Sequence, residues 1–177
     1  MRQIYERLYT GDLAACFEGA ASWAVVHACR HPCFLRAVRR LGASSESLTH
    51  LEDGPNLYLD LVDGPARCFS TSHFEAFLSF AGRHWSRGAG LLIHCNQGAS
   101  RAPSLAMLFL AKHLEALPTG SYDEASAAFC QLLPGFSPGA GIRSFLREHW
   151  ERLRRLLPGE GSAHAETRSV ERKSRIS

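Results

Sequence analysis

Residues 91–101 read Leu-Leu-Ile-His-Cys-Asn-Gln-Gly-Ala-Ser-Arg, an apolar run followed by a loop of small and polar residues. The run from Gly90 to Ile93 predicts a buried strand. The residues after the loop, Ala102 to Leu114, have a helical composition, and Pro103 stands near the first turn, where proline is tolerated. The stretch therefore predicts a strand, a tight loop and a helix in direct succession.

The loop between strand and helix has the composition of an anion-binding site. Gly98 can adopt a positive φ, so successive backbone N–H groups can converge on one point. The amino end of the following helix points its positive dipole at the same place. We therefore expect the loop to bind phosphate through Asn96, Gln97, Gly98, Ala99 and Ser100.

Two side chains suited to phosphate chemistry, Cys95 and Arg101, lie at the two ends of this loop. A thiol beside a helix amino terminus and a cation loses its proton well below the free value of about 8.5, so we expect Cys95 to be a thiolate at neutral pH. Arg101 can direct two N–H groups at phosphoryl oxygens. The spacing predicts a nucleophile and a phosphate-binding arginine.

The Cys-x5-Arg spacing alone is weak evidence, because Cys33 to Arg39 also matches it. That second match lacks a glycine and a preceding apolar strand, and it carries the bulky Phe34 and Leu35 where small residues are needed. Only the match at Cys95 has the required surroundings.

In residues 94–101 the chain resembles the cysteine-dependent dual-specificity phosphatases of the protein tyrosine phosphatase superfamily. Segments 23–29, 59–63 and 134–139 are similar to a bacterial and phage branch of that family. The resemblance implies a phosphocysteine intermediate that requires no metal or cofactor. It also gives His94 a supporting position directly before the nucleophile.

The resemblance further implies a general acid, because the family has an aspartate on a loop about thirty residues before the cysteine. Asp63 fits this position. An alkoxide or phenolate leaves poorly unless a proton arrives as the P–O bond breaks. Asp60 competes for the role, but strand periodicity puts it on the opposite face, and Asp63 adjoins the turn residues Gly64 and Pro65. Asp63 is therefore favoured.

The chain departs from the family at Ala102, where the family usually has Ser or Thr to assist departure of the cysteine thiolate. Breakdown of the phosphocysteine is therefore expected to be slow. This keeps open a second class of function, a phosphate-binding pseudophosphatase that recognises phosphorylated partners. An arsenate reductase or a sulfurtransferase with a similar loop is disfavoured by the spacing to Asp63 and by the mid-chain position of the loop.

Hydrophobic periodicity predicts a single α/β domain of three layers, with a central sheet of about four to five strands flanked by helices. A capping box is expected at Ser72 and Glu75, and residues 43–55 are expected to form a surface excursion. The predicted strands are 4–9, 23–28, 57–62 and 90–94, and the predicted helices are 72–87, 102–114, 121–133 and one from about 142 to 153.

The length of 177 residues and the apolar content of 45% suit one domain. We expect residues 1–157 to form the catalytic domain. Residues 158–177 are polar and almost devoid of apolar side chains, which predicts a disordered tail.

Charge and hydropathy bear on partners and location. The net charge of +3 is not gathered into a stripe, which gives no indication of nucleic-acid binding. No apolar stretch has the length of a signal peptide or a membrane span. We therefore expect a cytoplasmic monomer without membrane contact.

The six cysteines show no disulfide framework, as expected in a reducing compartment. His27, Cys29, His31 and Cys33 have the chemistry of zinc ligands. Alternate residues of a strand point one way and do not easily surround a tetrahedral ion, so no metal is expected. Arg30 and His31 are instead candidates to border the substrate cleft.

The substrate class follows from the composition of the loop between Cys95 and Arg101. The loop lacks the lysines found in lipid phosphatases of the superfamily and the flanking pattern of RNA triphosphatases. A phosphorylated protein or peptide is therefore the expected partner, with phosphotyrosine and phosphoserine or phosphothreonine both accepted.

Overall fold

The sheet is built around the apolar strand that precedes Cys95. In the computed structural model, which describes residues 1–18, 22–44 and 47–154, this strand is β6 and is buried at all four positions. It lies between two parallel neighbours, β2 and β3. A strand covered on both faces needs a continuous apolar run, which explains Leu91-Leu92-Ile93.

Within the described residues, six strands form one mixed sheet in the order β1-β2-β6-β3-β5-β4. The outer strands β1 and β4 are antiparallel to their neighbours, whereas the central four run parallel. The strands are β1 (Arg2–Tyr5), β2 (Leu8–Gly11), β3 (Ala24–His27), β4 (His50–Asp53), β5 (Asn56–Leu59) and β6 (Leu91–His94).

Helices cover this sheet, and the described residues include five α-helices. α2 contacts β3, β5 and β6, and α3 contacts β2 and β6 as well as α2, α4 and α5. The predicted fold class, a three-layer α/β domain with one central sheet, is confirmed. The helices are α1 (Leu35–Leu41), α2 (Thr71–Ser86), α3 (Arg101–Lys112), α4 (Tyr122–Leu132) and α5 (Ala140–Arg154).

The central helix of the core is α3, whose residues from Arg101 to Ala111 are all buried. Aromatic rings from two other helices, α2 and α5, pack near it, with Phe77 and Phe109 at 6.2 Å between centroids and Phe74 stacked on Phe145 at 5.1 Å. Because α3 is fixed on all sides, its amino end is a rigid platform for the loop before it.

The sheet has more strands than the four to five expected. The predicted strand over residues 4–9 is a hairpin, because the chain turns between Tyr5 and Leu8 and returns as β2. Residues 50–53, expected in a surface excursion, form β4 against β5. β4 alternates exposed and half-buried positions, so it is an edge strand without the apolar signal of the others.

The start of α2 differs from the predicted capping box. Ser70, not Ser72, is the N-cap, since its backbone is extended at φ −136°. Its hydroxyl accepts from the Ser72 N–H at 3.3 Å, and its own N–H donates to Nδ1 of His73 at 3.1 Å. The imidazole therefore replaces the expected Glu75 carboxylate.

The predicted tail of residues 158–177 lies outside the described residues, so the division at residue 157 stays a prediction. Among the helices of residues 1–18, 22–44 and 47–154, none has the length and apolar character needed to cross a bilayer.

Candidate functional site

Three parallel strands end at the same level and place Cys95 at the carboxyl edge of the sheet. His94 is the register partner of both Gly11 and His27. The N–H of Cys95 extends this pairing by donating to the Gly11 carbonyl at 3.2 Å, and its side chain is only 1% exposed. The thiol is thus presented from the interior of the edge where open α/β sheets bind ligands.

The loop after Cys95 depends on the glycine at its centre. Gly98 has φ +73°, and a Cβ there would lie 3.0 Å from the Asp12 nitrogen and 3.0 Å from the Gly11 carbonyl carbon. Both the left-handed backbone and the close packing on β2 require glycine. The loop is therefore held tightly against the sheet edge.

Arg101 opens α3 and is 6% exposed. Its Nη1 donates to the carbonyls of Ala28 at 3.2 Å and Leu61 at 2.9 Å, and its Nη2 donates to Oδ1 of Asn96 at 2.9 Å. Its Nε is buried and has no partner among the described residues. The guanidinium is thus fixed in place, and its buried Nε–H is left for a ligand.

Asn96 connects the loop to the turns beside it. Its Nδ2 donates to the His31 carbonyl at 2.9 Å, and its own carbonyl accepts from the Leu13 N–H at 3.3 Å. Together with the bond from Arg101, these contacts close the loop into a ring. Gln97 is exposed at the loop's outer side.

The segment before α5 docks on the far end of the loop. The Gly139 N–H donates to the Ser100 hydroxyl at 2.9 Å, and the Ser137 N–H donates to the Ala99 carbonyl at 3.1 Å. This gives a physical role to residues 134–139, one of the segments that carried the sequence resemblance. The segment supports the loop between Cys95 and Arg101 from outside.

Asp63 is exposed and lies beside Ser100. A Cβ at Gly139 would be 2.7 Å from Oδ1 of Asp63 and 3.4 Å from Oγ of Ser100, so both side chains meet at this glycine. The start of α5 also supports the segment after Asp63, because a Cβ at Gly141 would overlap the Gly64 carbonyl oxygen.

The competing carboxylate, Asp60, has a different partner. Nη1 of Arg30 contacts its two oxygens at 3.1 and 2.8 Å. The pair occupies Arg30, one of the two residues expected to border the cleft, while the backbone of His31 supports Asn96. Arg30 thus pairs with Asp60 and not with Asp63, which agrees with the preference for Asp63 as the general acid.

The position that departs from the family, Ala102, is fully buried in the first turn of α3. Two residues further on, the Ser104 hydroxyl is also buried and has no partner among the described residues. The Ser100 hydroxyl is engaged by Gly139.

A cluster of two thiols and two imidazoles lies next to the loop. It unites His27 and Cys33 with Cys16 and His94, and the four ligand atoms lie within 4.8 Å of one another. The grouping weighed from sequence shares only His27 and Cys33 with this cluster, since Cys29 and His31 are not members. Hydrogen bonds among the thiols raise the pKa of Cys33 and lower the pKa of Cys16 and Cys29.

Sequence reasoning missed the supporting contact of Gly139, and it did not place Cys16 and His94 in a group of possible metal ligands. The run Gly-Ala-Gly at residues 139–141 was an available signal, because small residues at a helix start indicate close backbone approach. The cluster had no local signal, since its members come from distant segments.

The sequence matches no protein-family model and no curated protein. Solved structures do match the fold. Human DUSP28 is 18% identical and aligns over 86% of this chain and 93% of its own, with a TM-score of 0.60. DUSP15 is 20% identical over 88% of this chain and 92% of its own, also at 0.60.

A third similar structure is the human tyrosine phosphatase-like serine/threonine/tyrosine-interacting protein. It is 17% identical over 85% of this chain and 95% of its own, with a TM-score of 0.60. Membership of the bacterial and phage branch stays a prediction. The chain has the fold of the dual-specificity phosphatases.

Proposed function

We propose that this protein hydrolyses phosphomonoesters of phosphorylated proteins through a phosphocysteine intermediate. The observation that carries the proposal is the guanidinium of Arg101, which three hydrogen bonds fix in place and whose buried Nε has no hydrogen-bond partner among the residues that the structure describes. A phosphoryl oxygen would satisfy this donor at the end of the loop that Cys95 begins.

In the first chemical step, the Cys95 thiolate attacks phosphorus. The S–P bond forms as the P–O bond to the leaving group breaks, and Asp63 donates its proton to the departing oxygen. Loop N–H groups and Arg101 stabilise the charge of the transition state. The loop does not need to rearrange for this, because Gly98 and Asn96 already hold its shape.

In the second step, water attacks the phosphocysteine, and the Asp63 carboxylate accepts a proton from that water. The S–P bond breaks, and inorganic phosphate and the Cys95 thiolate are released. The exposed position of Asp63 suits both roles, since leaving group and water must approach from solvent.

A second function is favoured by one specific observation, the buried Ala102. The nearest described hydroxyl in the loop, Ser100, is already bound to Gly139. If the Cys95 thiolate leaves phosphorus too slowly without assistance, the same loop serves a pseudophosphatase, which binds phosphorylated partners without turning them over.

The test is hydrolysis of a small aryl phosphate from pH 5 to 8 in buffer without added metal. Cys95→Ser is expected to abolish activity. Asp63→Asn is expected to lower kcat about 10²- to 10⁴-fold, the usual contribution of a general acid. Asp60→Asn is the matched control, because it removes a nearby carboxylate held by Arg30, and it is expected to retain most of the rate.

Equal rates for Asp60→Asn and Asp63→Asn would contradict the role given to Asp63. Absence of turnover in the native chain, with inorganic phosphate still bound in a calorimetric titration, would favour the pseudophosphatase. Loss of phosphate binding in Arg101→Ala, with the fold retained, is expected under both functions.

A further inference from the structure

The cluster of Cys16, His27, Cys33 and His94 has the composition and geometry of a closed metal site. The four ligand atoms lie within 4.8 Å of one another. Tetrahedral coordination at Zn–S of about 2.3 Å and Zn–N of about 2.0–2.1 Å places ligand atoms roughly 3.3–3.8 Å apart. Small side-chain rotations would bring the four atoms to those separations.

The fold itself brings the four ligands together. His27 and His94 end the adjacent parallel strands β3 and β6 and are register partners, so their side chains lie on the same face. Cys16 lies on the short helical turn Ala14–Phe17 after β2, and Cys33 on the turn Arg30–Phe34 after β3. Ligands from four segments surround the centre, unlike the alternating residues of one strand.

The hydrogen bonds around His27 favour the ring tautomer that a metal ligand needs. Asn56 Nδ2 donates to the Asp53 carbonyl at 3.4 Å, which orients its Oδ1 towards His27 Nε2 at 3.1 Å. His27 therefore carries its proton on Nε2 and has its lone pair on Nδ1. That atom faces Sγ of Cys16 at 3.5 Å and Nε2 of His94 at 2.7 Å.

Such an outer hydrogen bond to a ligating imidazole fixes the ring and its tautomer in known metal sites. The ring of His27 is also stacked on Tyr58, with centroids 4.3 Å apart. His94 is fully buried, and its Nδ1 has no partner among the described residues. The ring of His27 is thus held in place, with its Nδ1 facing Cys16 and Nε2 of His94.

We propose that Cys16, His27, Cys33 and His94 bind one Zn²⁺ ion as a structural site next to the phosphate-binding loop. Two thiolates neutralise the charge of the ion, so the complete site is neutral and suits a buried position. Two sulfur and two imidazole ligands select zinc over Mg²⁺ or Ca²⁺, which take oxygen ligands. Cys16, half-buried, gives the ion a route from solvent.

Binding exchanges the protons of two thiols for the metal ion. The ion forms two Zn–S and two Zn–N bonds and releases the protons of the two thiols, without oxidation or reduction. With four protein ligands the coordination is complete, which is the pattern of structural rather than catalytic zinc.

The ion would join the two turns that hold Asn96. The turn Arg30–Phe34 supplies the His31 carbonyl to Asn96 Nδ2, and Leu13, just before the other turn, donates to the Asn96 carbonyl. Asn96 in turn accepts from Arg101. The proposed ion is therefore a brace for the loop, and its presence does not depend on whether Cys95 turns over substrate.

The experiment is a titration of the full-length, reduced, metal-free protein with Co²⁺, followed by visible absorption. We expect the d–d absorption of tetrahedral Co²⁺ and a thiolate charge-transfer band, saturating at about one Co²⁺ per chain and displaced by Zn²⁺. Zinc is also expected to raise Tm, and a chelator to lower it. These measurements need no variant and no enzymatic activity.

Variants locate the site. Cys16→Ser and Cys33→Ser are each expected to weaken Co²⁺ binding by more than about 100-fold, and Asn56→Ala by about 10- to 100-fold. Cys68→Ser and Cys130→Ser are matched controls, since both thiols are half-buried and lie outside the cluster. Cys95→Ser is expected to bind Co²⁺ like the native chain, which separates this site from the phosphate-binding loop.

The proposal is overturned if the native chain gives no tetrahedral Co²⁺ spectrum. It is also overturned if the spectrum survives Cys16→Ser and Cys33→Ser, or is lost with Cys95→Ser instead. Recovery of Cys16 and Cys33 as a disulfide from protein kept under reductant with zinc would overturn it as well.

Discussion

The backbone N–H of Gly139 donates a hydrogen bond to the Ser100 hydroxyl at 2.9 Å, and the Asp63 carboxylate lies against the same glycine. One residue thus contacts both the proposed phosphate-binding loop and the proposed general acid. Because glycine has no side chain, the two functional groups approach each other at this point.

We expect Gly139→Ala to impair catalysis more than phosphate binding. The added methyl would lie 2.7 Å from Oδ1 of Asp63, so the carboxylate must move, whereas the N–H to Ser100 is retained. Misplacement of a catalytic group by about 1 Å costs up to roughly 100-fold, so kcat is expected to fall about 10- to 100-fold. Steady-state kinetics with an aryl phosphate and inhibition by inorganic phosphate measure the two effects.

Gly135→Ala is the control for this prediction, because a Cβ at Gly135 meets nothing within 4 Å. It lies in the same docking segment and is expected to retain the native kcat. Equal kcat values for Gly139→Ala and Gly135→Ala would show that Asp63 tolerates the displacement or does not act as the acid.

The strand before Cys95 and the loop after it were predictable because their sequence signals are local. A continuous apolar run predicts a buried strand, and Gly98 predicts a left-handed turn, whatever the rest of the chain does. The hairpin of β1 and β2 was not predictable, since Glu6 and Arg7 interrupt strand-like residues without a glycine or proline to mark a turn. β4 was missed for a related reason, because an edge strand with exposed His50 and Glu52 lacks an apolar pattern.

Contacts between distant segments account for what remained hidden at the site. The identities of Cys95, Arg101 and Asp63 were predicted from the motif and the resemblance. The partners of Arg101 are carbonyls of Ala28 and Leu61, and a carbonyl carries no signal in the side-chain sequence. Only the adjacency of β6 to β3 and of β3 to β5, a property of the whole sheet, brings such groups together.

We expect Ala102→Ser to accelerate the second chemical step. A hydroxyl in the first turn of α3 can donate to the departing sulfur, as the serine or threonine at this position does in the resembling family. In rapid-mixing experiments with an aryl phosphate, the native chain should release a burst of the phenol and then turn over slowly, because phosphocysteine accumulates.

In Ala102→Ser the burst should shrink relative to the steady rate, and kcat should rise about tenfold or more, within the range of proton-transfer assistance. Ser104→Ala serves as the control, since that hydroxyl lies on the same helix and no described residue bonds to it. A native chain with no burst and an unchanged kcat in Ala102→Ser would show that breakdown of the intermediate is not limiting.

The two buried serines near the loop are expected to differ in their effect on stability. The Ser104 hydroxyl is buried and finds no partner in the described part of the chain, so Ser104→Ala should leave the free energy of unfolding unchanged or raise it by up to about 1 kcal/mol. Ser100→Ala removes the acceptor of the Gly139 N–H and should lower it by about 1 kcal/mol. Urea unfolding of both variants measures the contrast, and a loss above about 1 kcal/mol in Ser104→Ala would contradict it.

His73 is expected to make the stability of the protein depend on pH. Burial lowers its pKa, and its Nδ1 accepts from the Ser70 N–H only while the ring is neutral. The pKa of the folded state is thus below the unfolded value of about 6.5. Its contribution is present above pH 6.5 and is lost as pH falls through the folded pKa, because the unfolded chain takes up the proton first.

His73→Gln is the informative variant, since glutamine at this position can also accept from the Ser70 N–H but does not titrate. Urea unfolding at pH 7.5 and pH 5 should show a smaller loss of stability on acidification in His73→Gln than in the native chain. His73→Ala should be less stable at both pH values by at least about 1 kcal/mol, because the Ser70 N–H loses its acceptor, yet its loss on acidification should match that of His73→Gln. Acid sensitivity equal to the native chain in both variants would assign the pH dependence to other groups, among them His113, whose pKa is also lowered by burial.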